Sequence, residues 1–362
     1  MKRLRFEKRP LDSRFWVYMS PLLALVLTLI AGAALFHLMG VDVGEALYTF
    51  FIKPISTPYG LAELGVKATP LVLIGVALSL GFRAGVWNIG AEGQLIFGAI
   101  FGGGAALAFY EMEGFHILPL VLLAGILGGM LWAAIVALLR TRFNANEILT
   151  SLMLTYVAGL CLSYLVHGPW KDPDGFSFPE SRIFSDSATL PLLIEGTRLH
   201  LGAILALIVV LISWGLLART LFGFQIKVMG EAPHAGAHAG FSQNKIIWLT
   251  LLLSGSAAGL AGAIEVTGPI GQLLPVISPG YGFTAIIVAY VGRLHPVGVL
   301  LAGLLLALSY LGGEAAQISL NLPLAVGGVF QGMLLFFLLA CDVFISYRPR
   351  VSGRPVTASW NS

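Results

Sequence analysis

Residues 81–94 read Gly-Phe-Arg-Ala-Gly-Val-Trp-Asn-Ile-Gly-Ala-Glu-Gly-Gln and set Arg83, Asn88, Glu92 and Gln94 between two long apolar runs. A charge at the centre of a membrane helix costs ~2.5–3.5 kcal/mol on insertion scales, and chains that keep one there use it to line a polar route or hold a polar ligand. Asn88, Glu92 and Gln94 are therefore the first candidates for a translocation pathway. Asn88 and Glu92 are four apart and share a face if the stretch is helical. A structural reading competes with this one. Arg83 or Arg293 neutralises Glu92, or Glu92 caps a broken helix, because an unpaired buried charge is expensive. Arg83 and Glu92 are nine apart and would face opposite ways on a straight helix. A break at Gly85 or Gly90 removes that objection.

A second interruption lies at 268–298, which holds Pro269, Pro275, Pro279, Gly280, Gly282, Gly292 and Pro296. Broken helices at membrane depth are tolerated where they face protein or a polar cavity, and two of them in two halves of a chain point to a transport route. Phe283 and Thr284 are the candidates at this break. Glu147 and Glu265, near span ends, read as structural partners, and Trp87 as an interfacial anchor.

The elements that must position these residues are membrane helices. Of the 362 residues, 57% are hydrophobic and 11% charged, against about 25% charged in soluble domains. The apolar runs are about 20 residues long, as a helix crossing ~30 Å of hydrocarbon requires, and lack the alternation of an outer-membrane barrel. The expected fold is all-α, a polytopic bundle of ten segments at 18–39, 63–82, 88–109, 117–139, 147–167, 199–218, 246–266, 281–292, 295–312 and 323–345. The run at 281–292 is too short to span alone and reads as a half-helix or re-entrant piece. The first run is too long for a signal-peptide core and is read as uncleaved.

Basic residues orient the bundle. Lys2, Arg3, Arg5, Lys8, Arg9 and Arg14 against Glu7 and Asp12, then Arg140 and Arg142, then Arg219, Lys227 and Lys245, then Arg348, Arg350 and Arg354 all fall on one side of ten segments. The positive-inside rule makes that side, with both termini, cytoplasmic. This divides the chain into a basic arm (1–17), a transmembrane domain (18–345) with an extracytoplasmic connection at 168–198 and a cytoplasmic loop at 219–245, and a cytoplasmic tail (346–362). The connection is acidic, with Asp172, Asp174, Glu180, Asp186 and Glu195. Glycine pairs four apart (Gly98 and Gly102, Gly125 and Gly129, Gly255 and Gly259, Gly328 and Gly332) let helices approach closely.

Covalent chemistry has no carrier here. There is no Walker loop, no His-Glu-x2-His and no Gly-x-Ser-x-Gly, so the chain is read as a non-enzyme. Cys161 and Cys341 form neither a metal spacing nor a disulfide framework, and no metal site is expected. The loop at 219–241 is long and rich in alanine and glycine. Pro233 suits the first turn of a short helix and Gly240 its end, while Phe222, Phe224 and Phe241 suit a docking surface; a helix lying in the membrane interface is the alternative.

Four stretches resemble one family. Asn-Ile-Gly-Ala-Glu-Gly-Gln at 88–94, Asn-Glu-Ile-Leu-Thr-Ser-Leu-Met at 146–153, the loop at 223–241 and Gly-Tyr-Gly-Phe-Thr at 280–284 running on to Gly-Arg-Leu-His-Pro-Val-Gly at 292–298 are similar to the permease subunits of bacterial ABC importers. The match is to the branched-chain amino acid, ribose and nucleoside permease superfamily, in its nucleoside and simple-sugar branch. Lys227, Ala232, Ala235-Gly236 and Thr155 depart from the usual residues.

The resemblance implies a multi-pass protein of the bacterial inner membrane that moves a nucleoside, or else a simple sugar, by alternating access. Its partners would be ABC ATPase subunits carrying ATP and Mg, a second permease subunit (a different chain rather than a copy), an extracytoplasmic solute-binding protein and the lipid bilayer, with no nucleic acid. This chain itself would carry no cofactor. Gly230, Glu231, Pro233, Ala235, Gly236 and Gly240 become the ATPase-coupling residues. Asn88, Glu92 and Gln94 would meet ribose hydroxyls and base edges, and Phe283 would stack on a base. The alternative is an ion- or proton-coupled secondary transporter, which broken helices and a buried Glu92 would serve equally well.

Overall fold

Each of the ten apolar runs holds a helix in the computed structural model, which describes residues 3–8, 14–175, 177–323 and 325–352. Lys2, Arg9, Asp12 and Arg354 of the arm and tail lie outside the described residues. Helices long and apolar enough to cross a membrane are α1 (Arg14–Leu38), α3 (Pro58–Arg83), α4 (Ala91–Ala108), α5 (Ile117–Phe143), α6 (Glu147–His167), α7 (Gly202–Arg219), α10 (Gln243–Glu265), α12 (Pro296–Leu320) and α13 (Ala325–Ser346). Between them stand α2 (Val43–Leu47), α8 (Leu221–Glu231), α9 (Pro233–His238) and α11 (Tyr281–Val291). With 11 residues α11 is about 16 Å long, half the hydrocarbon thickness, as its short apolar run requires.

Local chemistry sets many of the starts. Asp42, Thr57, Asn146, Thr220 and Ser242 each place a side-chain oxygen on a free N–H of the first turn that follows, and Pro58 and Pro233 open α3 and α9 where a missing N–H costs nothing. The stretch between α1 and α3 is ordered by α2, a π turn at Tyr48–Ile52 and a 3-10 turn at Lys53–Ile55. Its Phe50 is fully buried and stacks on Phe330 of α13.

The chain ends meet. Strands β1 (Arg3–Lys8) and β2 (Tyr347–Ser352) pair antiparallel, Arg3 opposite Ser352, and Arg348 faces Glu7 at 3.4 Å. Both ends therefore leave the bundle at one face, as an even number of segments demands. The opposite end of the bundle carries the connection at 168–201. Its backbone pairs with the segment after α10, through Ser181 N–H to Leu273 O (3.0 Å), Phe184 N–H to Gly271 O (2.9 Å) and Leu190 N–H to Thr267 O (2.9 Å).

Helix α3 is the axis. It carries no charged residue from Ala68 to Phe82, and 83% of its most apolar window is buried, against 28% or less for α1, α6, α7 and α13, which form the rim. Helices α4, α5 and α10 meet through glycine. A Cβ on Gly259 would overlap the carbonyl oxygen of Gly125, and one on Gly98 would overlap the backbone of Gly259, so these three helices touch backbone to backbone. Gly328 and Gly332 differ from that expectation. Among the described residues no atom lies within 4 Å of where their Cβ would be.

Candidate solute pathway and coupling surface

The two interruptions meet at mid-depth. After Arg83 the chain turns at Gly85 (φ +72°) and stays non-helical to Gly90, so the break falls where the two glycines allowed it. Asn88 bonds Ser254 at 2.7 Å, 11 residues or about 17 Å along α10, near the middle of that helix. On the other side α10 runs into a π turn at Val266–Ile270. A non-helical stretch with Pro275 and Pro279 follows, and α11 begins after Gly280 (φ +99°). The first turns of α4 and α11 then abut. A Cβ on Gly282 would overlap the backbone of Glu92, so only glycine permits the approach.

Glu92 holds this junction. It stands in the first turn of α4, and its Oε2 accepts the Gly282 N–H of α11 at 2.6 Å. One carboxylate thus faces the positive N-terminal ends of two helices and satisfies a donor that would otherwise be orphaned. Neither arginine reaches it. Arg83 donates from Nε to the Leu294 carbonyl at 2.8 Å, and Arg293 is bonded to Asp342 at 2.5 and 2.6 Å and to Ser20. Asn88 and Gln94 form a closed pair. Asn88 Nδ2 donates to Gln94 Oε1 (2.8 Å) and to Ser254, while its Oδ1 accepts from Gln94 Nε2 and the Gly90 N–H, both at 3.1 Å. Both are buried, so this pair locks the loop onto α10.

Phe283 and Thr284 are placed differently. They line a cavity of about 430 Å³ between α11, α12 and α13, together with Tyr310, Glu314 and Gln331. Thr284 Oγ1 lies 2.8 Å from the Tyr310 hydroxyl and donates to Gln331 Oε1 at 3.2 Å. The Gln331 Nε2 is buried and has no hydrogen-bond partner among the described residues. An unspent amide donor beside two hydroxyls and an exposed face of Phe283 is a surface for a neutral polar solute with an apolar side. Tyr310, Glu314 and Gln331 were missed in sequence. Gln331 had left a signal, being a lone amide inside an apolar run. Glu147 is paired with Arg140, as its position suggested.

At the termini face, α8 and α9 pack under α3 and α10. Ile226 and Met229 join Leu80, Val86, Ile246 and Leu251 in one apolar cluster. Gly230 lies so close to the Arg83 carbonyl that a Cβ there would overlap it. Pro233 opens α9, Gly240 (φ +82°) closes it, and Glu231, Pro233, Ala235 and Gly240 are exposed. Gly236 is the exception, turned inward onto Met229. Phe224 is exposed and meets Phe241 edge-on. Trp87 is partly exposed and stacks on Tyr290.

At the opposite face, Arg198 of the connection is tied to Glu63 of α3, Nε to Oε1 at 2.9 Å, and this pairing holds its guanidinium more firmly protonated than usual. Two residues on, His200 is fully buried against Gly268 and accepts the Gly202 N–H at Nδ1. Burial pushes its imidazole down to about 4, with Glu63 opposing in part.

The family described as branched-chain amino acid transport system / permease component matches residues 60–339. The glucose ABC transporter permease protein TsgB13 of Haloferax volcanii is 35% identical over 95% of this chain and 93% of its own length. The guanosine ABC transporter permease protein NupP of Bacillus subtilis is 32% identical over 88% of this chain and 91% of its own. A putative glucose ABC transporter permease protein of the same Haloferax, TsgC13, is 31% identical over 74% of this chain and 82% of its own. These matches decide against a gradient-driven carrier. The chain belongs to the permease-component family of branched-chain amino acid transport systems and is a multi-pass permease subunit of an ABC importer in the inner membrane.

Proposed function

We propose that this permease carries a nucleoside or simple sugar and that the cavity between α11 and α13 is its share of the route. The observation that carries the reading is the wall itself. It offers neutral hydroxyls, one unspent amide donor and the ring of Phe283, a set suited to a hydroxylated solute with a flat or apolar face. The names of the relatives, glucose and guanosine, fall in the same class. Asn88, Glu92 and Gln94 serve the route from behind, by fixing the half-helix ends that present Phe283 and Thr284. The face carrying the connection at 168–198 is extracytoplasmic and receives a solute-binding protein, and the arm, the loop at 219–245 and the tail are cytoplasmic.

The chain pairs with a second, different permease. One Haloferax holds two relatives of this chain that share a glucose designation, and one matches far more of the chain than the other. Separate ATPase subunits, with ATP and Mg bound to them, dock on α8–α9 through Glu231, Pro233, Ala235 and Gly240, with Gly230 and Gly236 setting the loop's shape. The chain performs no covalent step. Nucleotide binding must favour one permease conformation over the other, or it moves nothing. The path for that bias is short, since Gly230 rests on Arg83 and Arg83 holds the turn that ends α11.

Purification of the tagged protein from its native membranes in mild detergent tests this. The expected preparation holds a P-loop ATPase, a second permease of different sequence and a solute-binding protein, and takes up labelled guanosine or glucose after reconstitution. Recovery of this chain alone, active on an ion gradient, would overturn the reading.

A further inference from the structure

A second cavity, of about 340 Å³, lies on the connection side of the first. The two share Pro279 and Glu314 in their walls, and the ring pair Tyr281–Tyr310 stands between them, one ring facing each. The outer cavity holds Lys67, Arg198, Glu265, Ser278, Tyr281 and Glu314. Its two cations are already engaged. Lys67 bonds Glu314 at 2.8 Å, and Arg198 is held by Glu63. Glu265, the last residue of α10, is only 7% exposed, yet among the described residues no donor hydrogen-bonds its carboxylate and no cation pairs with it. Sequence alone made it a structural partner, and among the described residues it has none.

We infer that Glu265 is the acceptor of an outer subsite that takes adjacent hydroxyl groups of a ribose or hexose before the solute reaches the cavity at Phe283 and Thr284. A buried carboxylate with open lone pairs needs donors, and neighbouring hydroxyls on one sugar ring supply two of them side by side. An ammonium ligand would crowd against Lys67 and Arg198, which act electrostatically on Glu265, and an anion would meet Glu265 itself. A neutral polyol meets neither objection. Between the two cavities, the Lys67–Glu314 pair and Pro279 form the partition that the solute must pass.

This subsite rests on the solute class proposed above, and one experiment separates the two. The complete transporter, wild type or Glu265→Gln, is assayed for uptake of guanosine against 2′-deoxyguanosine and of glucose against 2-deoxyglucose. The ratio within each pair does not depend on how much protein is folded. Wild type is expected to favour the fully hydroxylated member of one pair. Glu265→Gln should cut uptake of that member about tenfold and leave its deoxy analogue unchanged, as loss of the carboxyl acceptor for neighbouring hydroxyls predicts. If Glu265→Gln yields no complex, Glu265→Asp keeps a carboxyl but shortens its reach and should give a reduced ratio. A ratio unchanged in both variants, or an equal loss for both members, overturns the subsite and leaves the solute class standing. No uptake of either pair by wild type overturns the solute class and the subsite together.

Discussion

At the scale of single residues, buried polar groups divide into those whose hydrogen bonds close within the protein and those left open. Asn88 and Gln94 are of the first kind, Gln331 and Glu265 of the second. Glu92 accepts a helix N–H that has no other acceptor. Glu92→Gln should therefore lower the thermal stability of the purified protein, by about 1–3 kcal/mol, before it alters affinity for solute. A variant of native stability with impaired uptake would place Glu92 in contact with solute instead. His200 makes a pH prediction. Its folded value of about 4 lies below the usual 6.5, so the native state stays neutral while the unfolded chain takes up a proton. Its contribution is full above pH 6.5 and falls as pH drops toward 4. Between pH 6.5 and 5 the loss should be about 1.5 kcal/mol. In thermal melts His200→Asn, which keeps an acceptor for Gly202, should flatten that slope; an unchanged slope would mean that His200 is protonated in place.

At the scale of elements, the helices were legible because membrane crossing fixes both length and apolarity. The half-helix α11 was legible for the same reason, being too short for the job. The glycine pairs of α4, α5 and α10 gave the close contact they promised. Gly259→Leu should abolish recovery of monodisperse protein in detergent, because its side chain would have to displace the Gly125 backbone. Gly215→Leu, on α7 with nothing within 4 Å, should be tolerated, and equal behaviour of the two would refute the packing account. What sequence left hidden is what depends on neighbours far along the chain. Gly328 has the same spacing as Gly259 but no helix against it, and Glu265 sits at a span end like Glu147 but lacks its arginine. Tyr310, Glu314 and Gln331 come into one wall only when α12 and α13 fold beside α11. The pairing of β1 with β2 joins residues 339 to 349 apart, and no local pattern announces it.

At the scale of the whole molecule, one chain of contacts runs from the exposed face of α9 to the cavity. Helix α9 adjoins α8, Gly230 of α8 touches Arg83, Arg83 holds the turn after α11, and α11 carries Phe283 and Thr284 at its far end. Ala235 is exposed on α9, so Ala235→Trp should leave folding intact and reduce both co-purified ATPase and transport. Unchanged ATPase recovery would remove α9 from the docking surface. The central claim is that solute passes the wall formed by α11–α13, and the most direct measurement is ATP-driven uptake of labelled guanosine and glucose by the reconstituted complex carrying Phe283→Ala or Gln331→Leu. Transport should lose about tenfold or more in apparent affinity while folding and subunit recovery stay native. Uptake indistinguishable from wild type in both variants would contradict the account and move the route elsewhere in the bundle.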